Sequence, residues 1–119
     1  MPVEMFASGP LDAGPAGGCR EIVPAPVSGW PQIAMGEWEL KDGAEHGDCH
    51  PHDELNYVLS GLLVVECDGV RVEAGPGDVV RVPGGRPALY SAPAHARMVY
   101  AYGPNPDGLP TTTFERAPG

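Results

Sequence analysis

Apolar residues along this chain come in short runs that alternate with polar ones and are interrupted about every 8–12 residues by glycine, proline or aspartate. Alternation with period two places successive side chains on opposite faces of an extended strand. Strands are therefore predicted at 19–23 (CREIV), 33–40 (IAMGEWEL), 55–60 (LNYVLS), 62–67 (LLVVEC), 70–74 (VRVEA), 79–83 (VVRVP), 88–91 (ALYS) and 96–102 (ARMVYAY). Between LLVVEC and VRVEA stand Asp68 and Gly69 alone. A two-residue type I′ turn needs positive φ at both central positions, which Asp and Gly tolerate, so this is a hairpin. The Pro-rich PAPVSGWP (24–31) cannot pair continuously, and no window has the 3.6-residue period of a helix. The reading is an all-β domain at 19–103, an irregular N-terminal arm at 1–18 that is loose or loosely docked, and a C-terminal tail at 104–119. Periodicity alone leaves sandwich, barrel and jelly roll open.

Composition sharpens this picture. A chain of 119 residues can bury one modest core, and 17 Gly with 15 Pro suit many short strands joined by tight turns. Seven basic residues against 16 acidic ones give a net charge of −9, which repels phosphate backbones and anionic membrane surfaces. Nucleic acid and membrane are thereby set aside as partners. Cys19, Cys49 and Cys67 are odd in number and lack CxxC spacing, and MPVEMFASGPLDAG has no basic-then-apolar leader. Free thiols in the cytoplasm are expected.

Candidate chemistry concentrates in GDCHPHDELNYVLSG (47–61). On one straight strand Asp48, His50, His52 and Glu54 would share a face, yet His50 and Glu54 would stand about 13 Å apart at about 3.3 Å per residue. Ligands of one ion lie roughly 2.0–2.2 Å from it, so a shared site requires a bend. Pro51 with the polar pair His52-Asp53 offers one. Imidazole plus carboxylate suits Zn, Mn, Ni or Fe(II), and donor type does not choose among them. The competing readings are solvated loop histidines, and a Glu54 that only anchors a turn.

Together with GPGDVVRVPGG (75–85), this stretch resembles the two motifs of the cupins, small jelly-roll barrels. Glu54 and Gly61 fit the end of the first motif, and Gly77, Pro83 and Gly85 fit the second. Counting back from Glu54 sets His50 at the second histidine of the first motif and Asp48 at its first; Ala88 stands where the second-motif histidine belongs. The resemblance spans about residues 33–102. Within the cupins, DELNYVLSG, the AGPGD turn and SAPAHARMVYAYGP are similar to the cupin part of the EutQ group. That group also lacks the second-motif histidine and is associated with ethanolamine breakdown and an acetate-kinase-like activity.

The resemblance implies a single-domain double-stranded β-helix whose interior receives Glu54, Asn56, Ala88 and Tyr90 by alternation. It implies a divalent-metal site of His50 and Glu54 with Asp48, weakened by Ala88, with His52 and His46 as second choices. Glu54, His50 and Tyr90 are the candidate catalytic groups, and Asn56, Trp38 and Tyr100 the candidate substrate contacts. Metal-dependent lyase, isomerase or hydrolase chemistry on a small polar metabolite is expected, with dioxygenase chemistry ranked below. A metal-free binding or accessory cupin of a catabolic pathway is the alternative. A homodimer is expected because small cupins commonly cover exposed sheet with a second copy.

Overall fold

The computed structural model describes residues 3–14, 17–25 and 29–115. Its strands are β1 (Asp12–Gly14), β2 (Gly17–Val23), β3 (Ala34–Lys41), β4 (Glu45–Cys49), β5 (Glu54–Gly61), β6 (Leu63–Cys67), β7 (Val70–Ala74), β8 (Val79–Val82), β9 (Ala88–Ser91), β10 (His95–Tyr102) and β11 (Thr112–Phe114). They form two antiparallel sheets, ordered β1-β2-β3-β10-β5-β8 and β11-β4-β9-β6-β7, which face one another as a jelly roll. Among the described residues no helix is long and apolar enough to cross a membrane.

Alternation sorts each strand. On β5, Glu54, Asn56 and Val58 are buried while Leu55, Tyr57 and Leu59 are exposed, so one strand supplies both the polar and the apolar parts of the interior. Val58, Leu63, Val65, Met98, Leu40 and Tyr90 form the centre of the core. Fully burying a side chain of this size stabilises by about 1.5–3 kcal/mol.

Turns are where the sequence specifies the path most tightly. Asp68 and Gly69 have φ of 53° and 76°, the type I′ geometry expected between β6 and β7. Asp42 and Gly43 repeat it at 57° and 77°, here carrying the chain from β3 in one sheet to β4 in the other. Gly61 has φ 80°, and a Cβ there would strike the His95 carbonyl. Only glycine suits both demands.

Three strands lie where alternation predicts none. β4 is built from EHGDC, with hardly an apolar residue, yet it pairs with β9 on one side and β11 on the other. The segment read as an arm contributes β1, which pairs with β2, and that strand itself begins at Gly17. The segment read as a tail contributes β11, which extends the second sheet. Residues 3–10 form no regular element and are exposed. Residues 1–2 and 15–16 of the arm, 26–28 of the Pro-rich break and 116–119 of the tail lie outside the described residues.

Candidate metal centre in the cup

The bend that a shared His/Glu site requires is present. β4 ends at Cys49, the chain turns at Pro51-His52, and β5 starts at Glu54. The second glycine-rich turn braces it: Gly85 N–H donates to the His50 carbonyl at 2.7 Å, and Gly84 N–H donates to Asp53 Oδ1 at 2.9 Å. His50 consequently points its Nε2 at two carboxylates, 2.6 Å from Glu54 Oε2 and 3.2 Å from Asp48 Oδ2. One donor atom from each of Asp48, His50 and Glu54 falls within 4.8 Å of the others.

Around this triad lies a ring of supporting contacts. Asn56 Nδ2 donates to Glu54 Oε1 at 3.2 Å, and the Trp38 indole N–H donates to Asn56 Oδ1 at 2.8 Å. The Tyr90 hydroxyl donates to Glu54 Oε2 at 3.4 Å. On the other side of the imidazole, His50 Nδ1 lies 2.7 Å from Thr111 Oγ1. His46 Nε2 lies 3.0 Å from Asp48 Oδ2. Asp48 Oδ1, by contrast, is buried and has no hydrogen-bond partner.

Charge at the site follows from these contacts. Burial opposes a proton on His50, but the hydrogen bonds to Asp48 and Glu54 and their charges outweigh it and push its pKa up to about 10. Burial likewise works against an ionised Asp48, and hydrogen bonds from His46 and His50 overcome it and hold the carboxyl below its usual range. Without a metal, the triad near neutral pH is an imidazolium clamped between carboxylates. Burial, then the charge of Glu54, raises Tyr90, which keeps its proton and acts as a donor. Burial, then the positive charge of His50, lowers His52.

The triad faces a cavity of about 520 Å³, whose walls include Trp38, Tyr100, Tyr102 and His46. Gly36 permits this shape, because a Cβ at that position would overlap the Tyr100 hydroxyl. Asn56, a candidate substrate contact, and Tyr90, a candidate catalytic group, do not line the cavity; both are fully buried behind the triad. Alternation puts them on the inner face but too deep to reach a ligand. His52 is buried and stacked on Tyr102 at 4.6 Å, outside the triad, while His46 reaches it through Asp48. Ala88 sits opposite Asp48 in the β4–β9 register, 1% exposed, so the position of the second-motif histidine is packed as core. Thr111 and Tyr102 were not read as site residues from sequence. Nothing in a Thr among tail residues 61 positions from His50 signals contact, whereas Tyr102 shares an inward parity with Tyr100 that could have found it.

These residues fit a divalent cation. One imidazole nitrogen and two carboxylates form a borderline-to-hard donor set. The unpartnered Asp48 oxygen is a donor that the protein alone leaves unused. With Nε2 turned to the carboxylates, His50 Nδ1–H donates to Thr111 Oγ1, the outer hydrogen bond that orients metal-ligating histidines.

A cupin-domain family model matches residues 36–102, more than half of the chain, and the protein belongs to that family. It is similar to EutQ proteins. Over 70 residues it is 31% identical to the acetate kinase EutQ of Clostridioides difficile (strain 630), covering 59% of this chain and 44% of that protein. The chain thus spans less than half the length of this curated relative. The solved Clostridium difficile EutQ protein superimposes with a TM-score of 0.62 at 26% identity, over 79% of this chain and 68% of that one. KdgF from Halomonas sp. superimposes with a TM-score of 0.72 over 89% and 97% of the two chains; at 20% identity this likeness speaks for the fold alone.

Proposed function

We propose that the cup binds a small polar metabolite and acts on it with a divalent ion held by Asp48, His50 and Glu54. The observation that carries this reading is the convergence of three donor atoms within 4.8 Å on the wall of an open cavity, one carboxylate still having an unused buried oxygen. When bound, such an ion supplies Lewis acidity to a ligand oxygen or nitrogen. Asn56 and Tyr90 hold the Glu54 carboxylate in place, and Trp38 fixes Asn56 in turn. Trp38 and Tyr100 provide the walls against which a small ligand orients. His46, next to Asp48 and 43% exposed, is placed to exchange a proton with a ligand in the cavity.

Lyase, isomerase and hydrolase reactions match a centre with one nitrogen and two oxygen donors better than dioxygen chemistry does. The activity named for the Clostridioides relative is not carried over, because the match covers 44% of that protein. The test is a turnover screen across those three classes with zinc, manganese, nickel and iron(II), using wild type, His50→Ala and Glu54→Gln. The reading predicts that both variants lose turnover and metal while still melting cooperatively; variants that lose only thermal stability contradict it.

A second reading has a specific observation in its favour. Ala88 occupies the place of a histidine ligand, and the imidazolium between two carboxylates already neutralises much of the triad. On this reading the chain is a metal-free binding or accessory cupin, and turnover is absent with every ion.

We also propose a homodimer through the outer face of the larger sheet. Tyr57 pairs with Val79 and Val99, and Leu55 pairs with Ala101, which pairs with Met35, so apolar side chains run across four strands. Glu37 on that face is already neutralised by Arg20 and Arg97, each at 2.7 Å, which lets two acidic chains approach there. Light scattering after gel filtration reads the outcome: wild type elutes as a dimer and Tyr57→Glu as a monomer, whereas a monomeric wild type overturns the proposal.

A further inference from the structure

The outer face of the larger sheet carries a charge pattern unlike that of the chain as a whole. At the outward positions of its strands stand Arg20, Lys41, Arg81 and Arg97, four of the chain's seven basic residues, against Glu37 and Glu39, two of its 16 acidic ones. Alternation assigns these positions: Glu37 and Glu39 flank the inward Trp38, Lys41 follows the buried Leu40, Arg97 lies between the buried Ala96 and Met98, and Arg81 pairs with the exposed Leu55. With His95 counted as neutral, the face is positive by two charges on a chain whose total is −9. Arg20 and Arg97 hold Glu37, and Lys41 holds Glu39. Arg81 is exposed and, among the described residues, forms no ion pair. Across the same face run Met35, Leu55, Tyr57, Leu59 and Val79, each 37–55% exposed. A second copy laid against this face would match the apolar strip but set positive charge against positive charge.

The N-terminal segment brings the missing counter-charge to the same face. The Ala7 carbonyl accepts from Arg20 Nη1 at 3.3 Å, and Gly9 lies beside the same side chain, so the chain leaves the sheet on its outer side near the β1–β2 margin. Beyond that tie, Val3 is 100%, Met5 84% and Phe6 43% exposed, so the sheet of their own chain does not bury them. Glu4 stands among them, exposed and without an ion pair among the described residues. Four extended residues reach roughly 13 Å, close to three strand spacings of about 4.8 Å.

We propose that residues 3–6 of each chain dock across the outer face of a second copy's larger sheet, with Met5 and Phe6 covering the strip at Leu55 and Tyr57 and Glu4 pairing with the partner's Arg81. The occupant is a second copy because segment and face are complementary in two respects, apolar against apolar and acid against base, and both are exposed within one chain. Two-fold symmetry makes the exchange twice per dimer. This inference rests on the reading that the protein is a homodimer through this face, and adds what closes that interface.

Sedimentation velocity over a concentration series of the full chain tests it, with thermal melts confirming that each variant folds. Met5→Asp should weaken dimerisation at least about tenfold, because it places a charge on the apolar strip. Glu4→Arg and Arg81→Glu should each weaken it about fivefold or more, since the contact occurs twice. Mixed one to one, those two variants should recover association close to that of wild type, because the arginines of one chain then meet the glutamates of the other at both contacts. A contact made inside one chain would stay repulsive in the mixture. No recovery in the mixture, or wild-type affinity in Met5→Asp, overturns the proposal; if wild type is then dimeric and Tyr57→Glu monomeric, the homodimer reading stands without it. A wild type that is monomeric at every concentration overturns both.

Discussion

The mouth and the base of this barrel are made by the same strands and behave as different materials. Along β5 the inward positions run Glu54, Asn56, Val58, from carboxylate to amide to hydrocarbon, and β10 runs from Tyr102 and Tyr100 to Met98. At the base every inward side chain is apolar, and stability comes from excluding water. At the mouth inward polar groups hold one another, Glu54 held by Asn56 and Asn56 by Trp38, with Asp48 Oδ1 left unpartnered, and stability depends on keeping the held groups satisfied. The difference teaches that the fold can tolerate a polar mouth because a dry base two or four residues further along the same strands carries the packing.

The sharpest way to break this contrast is to damage the base. Met98→Ala removes a fully buried side chain from the core and should reduce unfolding stability by about 2–5 kcal/mol in urea titrations, while the folded fraction keeps its metal affinity. Next in size is the junction between the two regions. Asn56→Ala leaves the Trp38 indole N–H and Glu54 Oε1 without their partner, with an expected loss of about 1–3 kcal/mol, and unlike Met98→Ala it should also weaken metal binding.

A smaller effect is confined to the mouth. Thr111→Val removes the hydrogen bond to His50 Nδ1 and should lower metal affinity about tenfold with little change in melting temperature, and Thr111→Ser should restore it. Competition with a chromogenic chelator measures this. Loss in the serine variant as well would assign the effect to packing.

The mildest perturbation is pH, which reaches the mouth through His50 and Asp48. The His50 pKa is raised from 6.5 to about 10, so its clamp contributes fully below pH 6.5 and is lost as pH climbs towards 10. Asp48 is shifted the other way, so its contribution is present above its unfolded pKa of 3.8 and is lost as pH falls below that. Metal-free protein should therefore be most stable between about pH 4 and 6.5. Metal must displace the His50 proton, so zinc affinity should rise with pH over the range in which the clamp weakens, and calorimetry in buffers of different ionisation enthalpy should register proton release.

Legibility from sequence followed the same division. Strands such as β5, β6 and β10 were readable because they are runs of Val, Leu and Tyr bounded by turn signals, although on β5 the apolar Leu55, Tyr57 and Leu59 face outward. The β4 strand was not, because its inward residues His46 and Asp48 belong to the mouth, and polar inward positions erase the pattern that marks a strand. β1 and β11 escaped for another reason: they are three-residue edge strands, DAG and TTF, too short to show alternation and paired on one side only. Asp48, His50 and Glu54 were legible as a potential cluster because the Pro51 bend reconciles their spacing with one site. The depth of Asn56 and Tyr90 was not, since alternation gives a side chain's face and not its distance from the opening.

The central claim is that the mouth holds a divalent ion, and elemental analysis of purified protein after gel filtration tests it most directly. Wild type and Glu54→Gln would be incubated with zinc, manganese, nickel and iron(II), freed of excess ion and measured for metal per chain, with thermal melts confirming that both are folded. The account predicts close to one ion per wild-type chain and almost none in the variant. A folded wild type that retains no metal from any of the four ions would contradict it.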